Sequence, residues 1–147
     1  MRRKRPHAPE APTLGVAREQ LALAEAGYSS KDGLTHLEQA LALLDDVCLA
    51  GSGHDAEIAE NLAGTYMRKL CARITAHVSS DPALPEPTLE HFFRLLLAFD
   101  QCSAELPPSA RAMKIEIVRK LIDRYYEGHS AEDKQRALDQ LAGIVEP

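Results

Sequence analysis

The sequence predicts an all-α fold of about six antiparallel helices paired as three helical hairpins. Three observations lead there. The nine prolines fall in groups (Pro6, Pro9 and Pro12; Pro82, Pro85 and Pro87; Pro107 and Pro108; Pro147), leaving long stretches in which no proline ring interrupts a helix. Those stretches are rich in Leu, Ala, Glu, Gln, Lys and Arg, and they lack the alternating β-branched runs of a strand. Glycines followed by polar capping residues divide them further: Gly27 before Ser29 and Ser30, Gly51 and Gly53 before Asp55, and Gly128 before Ser130. The connectors are short, so consecutive helices turn back on one another.

The first helix is expected over residues 14–26, ending at Gly27. The second, 30–50, opens with Ser29-x-x-Asp32, which has the spacing of a capping box. It carries Leu34, Leu37, Leu41, Leu44 and Cys48 at 3-4-3-4 spacing, an apolar stripe that needs a neighbour. The third is expected over 55–78, and the loop from Ser79 to Pro87 is the longest connector. The fourth, 88–104, starts at Thr88 after a proline and holds all three phenylalanines, Phe92, Phe93 and Phe99, around Leu95, Leu96 and Leu97. So apolar a helix is either central or an interface, and core is the expectation, with Leu96 buried. The fifth, 109–127, is apolar over about half its circumference (Ile115, Ile117, Val118, Leu121, Ile122, Tyr125) and should touch two neighbours. The sixth, 130–145, opens on Ser130-x-x-Asp133.

At 147 residues the chain suits a single domain, placed at 14–147 behind a basic, proline-rich flexible tail at 1–13. No apolar run reaches the roughly 18 residues of a membrane span. Three cysteines, Cys48, Cys71 and Cys102, form no C-x-x-C pair, and no apolar segment follows the basic start, so reduced thiols in a cytoplasmic protein are expected. Each cysteine lies on or near an apolar helix side and reads as core. The tail holds Arg2, Arg3, Lys4 and Arg5, without which 13 basic face 22 acidic residues. Such a block is able to touch nucleic acid or an anionic surface, but without interleaved aromatics it reads as a solvated tail.

No constellation of catalytic or metal-binding residues emerges, so neither enzyme activity nor a cofactor is expected. The histidines His7, His36, His54, His77, His91 and His129 lack the close spacing that zinc requires. Gly51-Ser52-Gly53 lacks the Lys of a phosphate loop and reads as a turn. The carboxylate pairs Asp45/Asp46 and Glu57/Glu60 read as solvated helix faces. A lone His on a small bundle resembles a histidine phosphotransfer domain, yet His36 is followed by Leu37-Glu38-Gln39-Ala40, without the Lys and Gly expected there.

Leu62-Ala63-x-x-Tyr66 and Leu121-Ile122-x-x-Tyr125 alternate with Ala40-Leu41-x-x-Leu44 and Ala137-Leu138-x-x-Leu141-x-x-Ile144. This order resembles a degenerate, lengthened tetratricopeptide repeat. The Leu62 and Leu121 cores stand 59 positions apart where adjacent repeats stand about 34 apart, Trp is absent, and Ile122 replaces a small residue. The resemblance implies a right-handed superhelix, the alternative being a generic helical bundle. It also implies a protein-protein interaction module, adaptor or chaperone-like, that takes a peptide or helix of a partner into a groove. By the same resemblance the groove side of each first helix lies at Glu57, Glu60, Gly64, Met67 and Arg68, and at Glu116, Arg119, Asp123, Tyr126 and Glu127. Met67 and Tyr126 would then be its apolar anchors. Glu60 and Gly64 stand where carboxylate-clamping relatives have Lys and Asn, so an acidic C-terminal tail is not the expected ligand. The competing reading is a structural subunit that forms an obligate homodimer through the helix of Phe92, Phe93 and Phe99.

Overall fold

A computed structural model describes residues 12–50, 53–81, 83–127, 130–136 and 139. The tail expected at 1–13 lies almost wholly outside them, as do Gly51-Ser52 and half of the sixth helix expected at 130–145, including Ala137, Leu138, Leu141 and Ile144. The elements are α1 (Pro12–Ala26), α2 (Lys31–Leu49), α3 (Gly53–Ser80), α4 (Glu86–Leu97) continued by a 3₁₀ turn (Ala98–Gln101), and α5 (Pro108–Tyr125). Residues 131–136 are helical, and no strand occurs among the described residues.

Most starts fall one or two residues earlier than the sequence suggests, because a proline is accommodated in the first turn. Pro12 and Pro108 are the first residues of α1 and α5, and Pro87 is the second of α4. The cap of α2 is Ser30 and not Ser29: its Oγ accepts from the Gly33 N–H at 3.3 Å. Ser130 takes the Asp133 N–H at 3.2 Å, as its spacing suggested.

The fourth helix is seven residues shorter at its end than the expected limit of 104. Beyond Gln101 the chain is drawn onto α2, where the Ser103 N–H donates to Asp45 Oδ1 at 2.7 Å and the Cys102 thiol to the Leu41 carbonyl at 3.4 Å. Those bonds replace the helical ones. Residues 102–107 therefore form the longest described connector, while the loop expected at 79–87 shrinks because α3 runs on to Ser80.

Long-range contacts fix the directions. Glu25 near the end of α1 meets Lys69 and Arg73 of α3. Arg68 of α3 donates to Ser109 at the start of α5, and Arg124 at its end reaches the carbonyls of Val78 and Asp81. Thus α1, α3 and α5 run parallel, side by side. Asp45 near the end of α2 binds Ser103 beyond α4, and Lys31 and Pro87 at the two starts line one cavity, so α2 and α4 run parallel to each other and opposite to that layer. α1 packs most extensively on α2, and α5 touches both α3 and α4, the two neighbours its wide apolar face calls for.

The core between the layers is aliphatic: Leu14 and Leu21, Leu37 and Leu44, Leu70 and Ile74, Leu95, Leu121 and Ile122 are all buried. Leu96 is fully buried, as expected. So are Phe92 and, nearly, Phe99, while Phe93 packs edge-on against Tyr125 at 6.3 Å. Phe92 and Phe99 are thus core, as expected, and Phe93 is half-buried against α5.

An aromatic cluster closes one end. Tyr28, in the turn between α1 and α2, stacks on Phe92 with centroids 6.1 Å apart and shares a hydrogen bond of 2.9 Å between its hydroxyl and His77 Nδ1. His91 Nε2 lies 2.8 Å from the Tyr28 carbonyl, which it meets as a donor.

Candidate functional site

The residues expected to line a groove on the first helices do not form one surface. Met67 is completely buried and packs against Cys71, its sulfur 3.7 Å from the thiol, so it is core and not an exposed anchor. Gly64 is buried too, with the Pro107 ring so close that a Cβ there would stand 2.7 Å from Pro107 Cδ. The reason is the parallel layer: this side of α3 is covered by the start of α5. Arg68 spans that seam to Ser109. Glu57 is exposed and Glu60 half-buried. On α5, Glu116 pairs with Lys120 at 3.5 Å, Asp123 with Lys134 at 3.5 Å, and Arg119 is exposed. Tyr126 is half-buried, its ring 5.0 Å from that of Tyr125.

Two cavities lie elsewhere, along α2 and α4. The larger, about 590 Å³, is lined by Ser29, Lys31, Leu34 and Thr35 from the start of α2 and by Pro87, Thr88, Glu90, His91 and Arg94 of α4. The smaller, about 280 Å³, is lined by Glu38, Leu41, Ala42 and Asp45 of α2 and by Ala98 and Gln101 of the 3₁₀ turn. None of the residues expected from the repeat resemblance lines either.

The two cavities follow one another in register. On α2 the positions 31, 35, 38, 42 and 45 recur at 4-3-4-3 spacing, and on α4 and its extension the positions 87, 91, 94, 98 and 101 recur at the same spacing. Each set is one stripe of a helix. Because α2 and α4 are parallel, the stripes run side by side and the two cavities follow one another along the seam between them, over 14 helical steps, or about 21 Å at the helical rise of about 1.5 Å per residue. Its lining is mostly solvent-facing, with half-buried Leu34, His91 and Ala98 in the floor.

Charges of both signs line the seam. The larger cavity holds Lys31, at the start of its stripe, and Arg94, at the middle of the other, neither with a carboxylate partner among the described residues, together with His91. Glu90 also lines this cavity, and the Tyr125 hydroxyl donates to it at 3.5 Å. The Glu90 charge is the main influence that raises the Tyr125 phenol above its ordinary value. The smaller cavity holds Glu38, level with Arg94 in the shared register, and Asp45. Hydrogen bonds from the Ser103 hydroxyl and N–H hold the Asp45 carboxyl below the ordinary carboxylate range, so it is ionised at neutral pH.

The thiols carry little nucleophilic character. Burial pushes Cys71 up to about 12 and Cys102 up to about 11, and it raises Cys48 with help from the Glu60 and Asp45 charges. His36 Nδ1 lies 2.6 Å from Gln20 Oε1 across the first hairpin, a structural contact. Among the described residues no group of three or more His, Cys, Asp or Glu is placed to hold a metal ion, and no helix is long and apolar enough to cross a membrane.

The sequence alone did not reveal the groove, although the matched spacing is present in it. The polar stripe Lys31, Thr35, Glu38, Asp45 reads as an ordinary solvated face until α4 is known to lie beside α2. Comparison with protein-family models, with curated proteins and with solved structures finds no match.

Proposed function

We propose that the protein is a non-enzymatic interaction module, adaptor or chaperone-like, that takes a helical segment of a partner protein into the groove between α2 and α4. The observation that carries this reading is the register of the two stripes. Two parallel helices present matching, mostly solvent-facing positions over about four turns, and Leu34, Leu41 and Ala98 among the lining residues offer the apolar contacts on which an amphipathic helix docks by i, i+3, i+4 and i+7 positions. The alternation of α1, α3 and α5 with α2 and α4 in two layers is also the order of stacked helical hairpins, which supports kinship in architecture with tetratricopeptide repeats.

Selection from a displayed library of amphipathic helical peptides tests the proposal. Ala42 is exposed and lines the smaller cavity, so Ala42→Arg fills it without touching the core. Selected peptides should bind the wild-type chain and lose at least about tenfold in affinity for Ala42→Arg, with the far-ultraviolet circular dichroism unchanged. A library that yields no binder, or binders indifferent to Ala42→Arg, would move the site elsewhere.

A further inference from the structure

Resting on the groove reading above, we infer that Lys114 and Asp100 are positioning residues for that site. Their pair sets where the wall formed by Ala98 and Gln101 stands, although neither of the two lines either cavity. A 3₁₀ turn brings side chains three apart onto one side. Ala98 and Gln101 therefore both face the smaller cavity, while Phe99 is turned into the core and Asp100 onto Lys114 of α5. Phe99 by itself leaves this setting loose, because apolar burial has no direction. The carboxylate does not: Lys114 is buried, and any slide of the turn away from it leaves a cation unpaired in an apolar setting. From Asp100 the setting passes to Cys102 and Ser103, whose bonds to the Leu41 carbonyl and to Asp45 reach two more residues of the same cavity.

Stability alone is a poor reason for such a pair. One oxygen of Asp100 is buried with no hydrogen-bond partner among the described residues, and a buried ion pair is often no more stabilising than apolar side chains of the same volume. What apolar side chains do not supply is a fixed register between α5 and the end of α4. The start of α5 is itself held against α3, by the Pro107 ring over Gly64 and by Arg68 on Ser109. A wall of the seam between α2 and α4 thus takes its place from the opposite layer.

Three chains provide the test: the parent, the apolar double variant Lys114→Met/Asp100→Leu, and Asp100→Asn, which keeps the length and an acceptor oxygen but not the charge. In each, modification of Cys102 by a disulfide reagent at pH 8 is read against that of Cys71, a buried thiol that reports unfolding, and the urea midpoint is measured beside it. The double variant should unfold near the parent midpoint yet modify Cys102 at least about tenfold faster, and the selected peptides that Ala42→Arg weakens should bind it at least about tenfold more weakly. Asp100→Asn should unfold at lower urea and leave both Cys102 and the peptides close to their parent values. If Cys102 modification and peptide affinity instead follow the urea midpoint across the three chains, or if the double variant matches the parent in both, the pair acts through stability alone and the inference is wrong. If the library yields no peptide, the groove reading falls, and the Cys102 rates still decide whether the pair sets the wall.

Discussion

Lys114 of α5 is buried to within 3% of full burial, and its ammonium ends on the carboxylate of Asp100 in the 3₁₀ turn after α4. The second oxygen of Asp100 is buried with no hydrogen-bond partner among the described residues, so the pair is the main compensation for both charges. It joins the segment between α4 and α5 back onto α5.

Breaking this pair from one side should be costly. Asp100→Ala leaves a cation in an apolar setting and should destabilise the fold by about 3–5 kcal/mol in urea denaturation. Replacing both partners by apolar residues, Lys114→Met with Asp100→Leu, should recover most of the loss, since the desolvation of two charges is then avoided. A double variant as weak as Asp100→Ala would mean the loss is one of packing.

Leu96→Ala should cost about 2–5 kcal/mol, from lost transfer energy and the cavity left behind. The same measurement on Leu49→Ala, at a side chain 71% exposed at the end of α2, should show a change of less than about 0.5 kcal/mol.

Three glycines should answer alanine differently. At Gly33 a Cβ would stand 2.0 Å from the Gly27 carbonyl oxygen, which is backbone and cannot swing aside. Gly33→Ala should therefore push α2 away from the α1–α2 turn and cost about 1–3 kcal/mol, the cost of overpacking. Gly64→Ala meets the Pro107 ring and should be milder, because helix propensity offsets part of the clash. Gly15 has open space around it, and Gly15→Ala should stabilise by about 0.5–1 kcal/mol. Thermal melts of the three would rank them, and a destabilised Gly15→Ala would contradict the open surroundings of that position.

The thiols make a prediction about alkaline pH. Cys71 has a folded value of about 12 against an ordinary 9.0, so the folded state holds its proton more tightly. That contribution is complete below pH 9 and is lost as pH rises from 9 toward 12. Cys71→Ala should thus show a flatter stability profile over that range than the parent chain, although less stable at neutral pH. In the native protein a disulfide reagent at pH 8 should modify Cys48 first, then Cys102, and Cys71 only on unfolding.

Much of the helical plan was legible because proline and glycine act locally. Pro12, Pro87 and Pro108 mark helix starts, and the stripe from Leu37 to Leu44 marks a buried face. Burial of Leu96 followed from the apolar run around it. Lys114 was missed although its position three and four residues before Ile117 and Val118 put it on the buried stripe, because a cation there is ordinarily a surface residue. Met67 was misplaced for a different reason. Whether a helix face is groove or seam depends on what lies across it, and α5 lies across Gly64 and Met67. The α2/α4 groove was invisible for the same reason: its halves are 56 residues apart, and no residue in either announces the other.

The contacts of Tyr28 bear on how the molecule opens. In an array of hairpins that touch only their neighbours, the first hairpin can fray while the rest stays folded, and protection against hydrogen exchange falls off gradually toward the ends. Here the first turn is fastened to His77 at the far end of α3 and to Phe92 and His91 within α4, across 49 and 63 residues of chain. Releasing α1 and α2 therefore also uncovers α4. The amides of α1, α2 and α4 are tied into one cooperative unit of exchange, and the two walls of the groove are lost or kept together.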